Sequence, residues 1–402
     1  MTATALPTPV VTAPVTVERE RAIDGLRALA ILGVVCGHWL VGALSPGAGG
    51  GLLVDSPLRT AAWLAPMTWV LQMLGLFFLV GGYAAGGSLT RWREAGGADL
   101  AWVRRRFLRL AWPVVVAVAL FSAALPVLAL AGAPAATLRT WAVLLVQPFW
   151  FIGIYAVVTA LTPVALRLDR RWGAAAALPM AGAVAVVDVL HYGFHAVPAW
   201  AGYVTVVPAW MFTYQLGVAW ARGGVSRTAA WRLLWGGAAL FAALIVVARY
   251  PASMVTVPGA DRSNSNPPSL LVPALAAAQS GAAILLRDRL ERLLRRRRLL
   301  WTAVAVLNLS AMSVFCWHQT ALVAVSAGAA RLGRFEGLTD APVAQQWIVE
   351  RLGWFPVLAV ALAAMVAVVR RFERPAAVVT ARHRLLAVAA VSAFTAYLLT
   401  VY

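Results

Sequence analysis

The sequence predicts an all-α protein, a polytopic transmembrane bundle of about ten or eleven helices with a cytoplasmic N-terminus. Three observations carry that reading. Hydrophobic residues make up 62% of the chain and charged residues only 12%, about half the charged share of a soluble domain. Apolar runs long enough to cross a bilayer, about 20 residues each, recur along its length. Short arginine clusters separate the runs, alternately dense and sparse, as the positive-inside bias of membrane topology requires.

In hydrocarbon every backbone polar group must be paired within the chain, so runs of this length are helices. A barrel would read as short alternating segments, and the sequence has none. The predicted spans are roughly 25–44, 66–88, 107–132, 141–165, 173–190, 202–221, 229–248, 269–286, 302–328, 354–370 and 385–402. Residues 1–19, rich in Pro, Thr, Ala and Val, lack a leading basic segment and read as a disordered cytoplasmic tail. Residues 20–372 form the membrane domain, and 373–402 a cytoplasmic linker with a peripheral last helix.

A formal net charge of +19 first suggests a nucleic-acid partner, but the placement of the charges excludes it. All 34 basic residues are arginine, and 27 of them fall in residues 19–27, 91–109, 167–171, 222–232, 287–298 and 370–384, the loops on one side of the bundle. The opposite loops hold the other 7, among them Arg262 and Arg351. The partner implied is membrane lipid, and the location a cell membrane crossed many times. The run 287–298, basic with interleaved leucines, suits a surface helix on anionic lipid. No outer loop is long enough for a separate domain, and no internal repeat stands out. Cys36 and Cys316, both inside predicted helices, imply no disulfide framework.

The first span carries the clearest chemistry. Arg27 and His38 are eleven residues apart, which on a helix returns to within about 20° of the same face after a rise of about 16 Å. One face therefore holds a cation at the cytoplasmic mouth and an imidazole deep in the membrane, where ionisable groups are costly and mark function. A second deep histidine, His318, falls in the ninth span, in its outer half when counted from Leu300. Each cysteine precedes its histidine by two residues, about 200° of helical turn, which rules out a Cys–His pair within either helix. Arg106 and Arg109 share a face at the start of the third span, with guanidinium forks suited to phosphate; taken alone, they are also ordinary topology signals. Asp188, His191 and His195 have metal-like spacing, but Gly193 and Pro198 break the helix that would align them, and no metal is expected. The turn containing Asn264 and Asn266 is placed outside, where it can shape a polar pocket.

These segments resemble the bacterial integral-membrane acyltransferase family 3. "RAIDGLRALAILGVVCGHW" is similar to that family's start, where a basic residue precedes a histidine. "LGLFFLVGGYAAGGSL" resembles its Phe-Phe-x-x-Ser-Gly segment, "RRRFLRLAWP" its Arg-x-x-Arg segment before a proline, and "SAMSVFCWHQTAL" its late Tyr-Leu-Trp-His segment. "WMFTYQLGVAWARG" and "SNSNPPS" look like features of an actinobacterial branch, and the likeness runs from about Arg21 to Arg371. Gly81 stands where the family often has Ser, and Phe315-Cys316 where Tyr-Leu is common.

The resemblance implies a transferase that moves an acyl group, usually acetyl, from cytoplasmic acyl-CoA to a hydroxyl of a carbohydrate, a cell-surface glycan or a glycosylated metabolite, with no tightly bound cofactor. It implies His38 as catalytic base and Arg27, Arg106 and Arg109 as contacts at the donor end; His318, the second deep imidazole, is read as a second catalytic group that would orient the acceptor or assist proton transfer. Trp150, Tyr155, Asn266 and Gln319 are the candidates for substrate contact. Whether His38 takes a proton or the acyl group itself stays open. The alternative is a transporter or flippase of a glycan or lipid precursor, which would use the same membrane histidines and arginines.

Overall fold

The computed structural model describes residues 20–47, 51–194, 196–343 and 345–373. The expected tail 1–19, the last expected span 385–402 and His195 lie outside the described residues. Each of the other ten expected spans meets helix. In chain order these are α1 (Arg21–Val41), α2 (Met67–Leu71), α3 (Leu74–Glu94), α4 (Asp99–Leu130), α5 (Ala135–Val146), α6 (Phe149–Ala160), α7 (Thr162–Trp172), α8 (Leu178–Asp188), α9 (Val206–Ala221), α10 (Arg227–Val246), α11 (Leu271–Arg296), α12 (Arg298–Leu309), α13 (Ala311–Ala330) and α14 (Gln345–Glu373). After α1 comes a small antiparallel hairpin, β1 (Ala43–Pro46) with β2 (Leu52–Asp55), which the hydropathy pattern did not announce. The protein is an all-α bundle with that one ornament.

By length and hydropathy seven helical segments can cross a bilayer among the described residues, and the bent pair α12–α13 makes eight. The expected count was higher because α9 and α11 were read as spans. Both are central to the packing, but α9 is only 16 residues long and α11 turns arginine-rich over its last turns. Helix α9 is buried along nearly its whole length. Its backbone lies directly on α3: a Cβ on Gly82 would overlap the Tyr214 carbonyl, and one on Gly217 the Leu79 carbonyl. This is small-residue packing of the kind membrane helices use in place of a hydrophobic driving force.

Two breaks shape the interior. Between α2 and α3 the chain leaves helix at Gln72, and the Gln279 amide on α11 donates to the freed Gln72 carbonyl at 2.9 Å and reaches that of Trp69 at 3.4 Å. Freed carbonyls at membrane depth need such a partner. Between α12 and α13 the axis bends by 80° at Ser310. Here Asn308 ties α12 to α1, donating to the Asp24 carbonyl at 2.8 Å.

Outside the histidine region, Asp188 at the end of α8 is a structural hub. It accepts from the Tyr250 hydroxyl at 2.6 Å and the Leu270 N–H at 2.8 Å, and pairs with Arg262 at 3.4 Å. The Arg262 guanidinium lies 3.8 Å from the ring centres of both Tyr192 and Tyr250. Of the three residues with metal-like spacing, Asp188 serves this ion pair between two tyrosines, and His195 lies outside the described residues.

Candidate active site

Helices α1 and α13 bring the two histidines together. The rings of His38 and His318 are 5.1 Å apart, tilted by 60°. His38 is half-buried and His318 fully buried. Because the axis bends at Ser310, the position of His318 is counted along α13, where it is the eighth residue, about 10 Å from the start, beside His38 near the end of α1.

Trp39 knots the two helices. Its indole N–H donates to the His318 carbonyl at 3.0 Å, and its own carbonyl accepts from Arg351 Nε at 2.6 Å. Arg351 also donates to the carbonyls of Gly42 and Gly337. The sequence counted Arg351 as an outer-loop topology residue, but it is fully buried on α14. Its charge sits at the C-terminal end of α1, where the last carbonyls lack helical partners and the helix dipole is negative.

On the other side of His38, the Gln319 side-chain nitrogen lies 3.1 Å from His38 Nδ1 and donates to Gln147 Oε1, also at 3.1 Å. Gln319 was expected near substrate and is indeed beside His38. Gln147 was missed, although an amide immediately before Pro148 and inside an apolar run was a usable signal.

An aromatic wall continues from the pair. Phe315 packs against Phe77 and Phe151 with ring centres 5.2 and 5.0 Å apart, and Tyr155 lies 5.2 Å from Phe77. Tyr155 also explains Gly81: a Cβ there would stand 2.6 Å from Tyr155 Cε2 and 2.9 Å from its oxygen. Serine at 81 would need the tyrosine to move. Trp150 sits further along the wall, exposed, beside Phe151 and Trp210. Asn266 is not part of this cluster; it lies in the 247–270 loop, where its backbone N–H donates to Ser263 Oγ at 3.1 Å.

The expected donor-end arginines lie on α1 and α4. Arg106 interacts electrostatically with Arg27, Arg109, Tyr155 and Tyr214, and its guanidinium lies 5.1 Å from the Trp102 ring centre. Arg27 is 3.6 Å from Asp24; Arg109 is exposed. Arg106 thus senses both other cations expected at the donor end, Arg109 on its own helix and Arg27 on α1. Two cavities, of about 200 and 380 Å³, adjoin at Thr90 and Arg222. Their arginines are partly matched already, Arg93 to Asp99 at 2.7 Å and Arg222 to Asp169 at 2.6 Å.

One buried acid was assigned to the linker by the sequence. Glu373 ends α14 and turns inward, accepting from Trp317 Nε1 at 3.0 Å and from the Ser313 hydroxyl. Both cysteines are free.

Neither a curated protein nor a solved structure matches this chain. The sequence model of the acyltransferase family 3, described as an acyltransferase domain, matches residues 20–370, which holds both histidines, the three arginines and the glutamine pair. By that match, and by the helical bundle that carries it, the chain belongs to acyltransferase family 3 and is an integral-membrane acyltransferase.

Proposed function

We propose that this protein transfers an acyl group, acetyl in the simplest case, from acyl-CoA to a hydroxyl of a carbohydrate or glycosylated acceptor, and that the reaction takes place at His38 and His318. The observation that carries the reading is the meeting of two imidazoles from separate helices, 5.1 Å apart, inside an apolar bundle. Imidazole is the side chain best suited to exchange a proton near neutral pH, and an alcohol attacking a thioester must lose one. Arg27, Arg106 and Arg109 supply the charge that coenzyme A phosphates need. The rise of about 16 Å along α1 from Arg27 to His38 suits a long pantetheine arm held at one end and reacting at the other. Phe77, Phe151, Phe315 and Tyr155 would line that path, and the acceptor would meet the thioester beside His38 and Gln319.

The test is acyl transfer from labelled acetyl-CoA by the purified protein in nanodiscs, with a panel of mono- and oligosaccharide acceptors. The wild type is expected to turn over, and the double variant His38→Ala/His318→Ala to lose at least about 10³-fold when normalised to folded protein. Turnover surviving the double substitution would move the chemistry elsewhere, and movement of a glycan without any ester formed would favour a transporter.

A further inference from the structure

The hydrogen bonds around the two histidines fix which nitrogen of each ring carries its proton, and they fix opposite answers. His318 Nδ1 lies 3.0 Å from the Phe315 carbonyl and 3.2 Å from the Val314 carbonyl. A carbonyl oxygen only accepts, so Nδ1 must hold a hydrogen. In a neutral ring that leaves the lone pair on Nε2, which is buried and has no hydrogen-bond partner among the described residues. At His38 the partner is the reverse. With the Gln319 and Gln147 amides oriented as in the structure, the Gln319 amide nitrogen has two hydrogens and two neighbours at 3.1 Å, Gln147 Oε1 and His38 Nδ1. The first takes one hydrogen and the second the other, so Nδ1 of His38 is an acceptor and the ring proton sits on Nε2.

From this we infer a division of labour, resting on the functional reading above: His318, through Nε2, accepts the proton of the incoming hydroxyl, and His38, through Nε2–H, stabilises the charge that develops on the thioester oxygen. Gln319 is a positioning residue that holds His38 in its donor form, and Gln147 positions Gln319. This inverts the expectation that His38 is the base. The step balances. The alcohol oxygen bonds to the thioester carbon as His318 Nε2 takes its proton, and the carbonyl oxygen, gaining negative charge, accepts from His38 Nε2–H. The carbon–sulfur bond then breaks, the proton on His318 passes to the coenzyme A sulfur, and ester and thiol leave with both rings in their starting tautomers. A preorganised donor aimed at a developing oxyanion is typically worth about 10²- to 10³-fold in rate, and a general base about 10²- to 10⁴-fold.

Nitrogen-15 NMR of histidine-labelled protein reads the tautomers directly and needs no turnover. The chain has five histidines, so the two signals are assigned by their loss in His38→Gln and His318→Gln. The expected spectrum has His38 protonated at Nε2 and His318 at Nδ1; a His38 ring protonated at Nδ1 overturns the inference. Kinetics give the second reading. Glutamine at position 38 keeps an N–H donor, whereas glutamine at 318 supplies no base, so His318→Gln should cost at least about tenfold more in kcat than His38→Gln, with the acyl-CoA KM unchanged in both. The opposite order makes His38 the base and overturns the assignment. Gln319→Glu sets an acceptor against His38 Nδ1. It should move the ring proton to Nδ1 and lower kcat, a change that mere packing at 319 would not produce in the spectrum; a His38 signal unmoved by Gln319→Glu removes Gln319 from its positioning role. If the wild type shows the expected tautomers and transfers no acyl group, the functional reading falls and the tautomer assignment stands.

Discussion

Arg351 is a single residue whose burial decides how well the site is held. Its guanidinium meets three carbonyls from two segments, Trp39 and Gly42 at the end of α1 and Gly337 in the loop before α14. Arg351→Met should leave those carbonyls without donors, at about 1–3 kcal/mol for each one that water does not reach, and so lower the thermal midpoint of the purified protein by several degrees. Arg351→Lys should recover only part of the loss, because an ammonium cannot span three acceptors with a planar fork. An unchanged midpoint in the methionine variant would mean the clamp contributes nothing. At the donor end, Arg106→Ala should weaken acyl-CoA binding more than acceptor binding, and a donor affinity unchanged there and in Arg109→Ala would reduce both arginines to topology signals. The sequence made His38, His318 and Gln319 legible because each is a polar group that an apolar run does not need, whereas the three arginines, ordinary topology signals at helix ends, stood out only through the family resemblance. It could not make Arg351 or Glu373 legible. Both sit at helix ends, where charge is unremarkable until the fold turns it inward.

At the scale of elements, helices were readable wherever an apolar run was long and continuous, and misread where a run was broken. The bend at Ser310 has no proline to announce it, and the α2–α3 break is stabilised by Gln279 from a helix some two hundred residues away in sequence. Neither partner is local, so neither break can be read locally. The close contact of α3 with α9 is different: glycines at 82 and 217 were visible, but only the fold reveals that each receives a carbonyl of the other helix. A Gly217→Leu substitution should therefore force the helices apart and prevent stable accumulation of the protein, whereas Gly236→Leu on α10, where an added Cβ meets nothing within 4 Å, should be tolerated. Detergent-solubilised yield and gel-filtration profile give the comparison, and equal behaviour of the two variants would contradict the packing. At the end of α8, Asp188→Ala should cost roughly 3–5 kcal/mol, read as a lowered thermal midpoint of the purified protein, since it strands the largely buried Arg262 charge without its counter-ion.

For the whole molecule, the arginine distribution makes a claim about orientation that packing alone does not. The clusters at 91–109 and 287–298 lie at one set of helix ends, and the 247–270 loop with its Asp188–Arg262 clamp connects helices at the other. By the positive-inside bias the arginine-rich side is expected to face the cytoplasm. Under the proposed function, that same side is where a phosphate-bearing donor would enter to reach Arg27 and Arg106. A single cysteine introduced at position 293, on the basic end of α11, in a background with Cys36 and Cys316 replaced by Ala, should resist a membrane-impermeant maleimide in intact cells and react after permeabilisation. A cysteine at position 266 should do the reverse. If position 293 labels in intact cells, the bundle is inverted, the arginine triad faces away from the coenzyme A pool, and the donor would have to approach the histidine pair from the side of the β1–β2 hairpin.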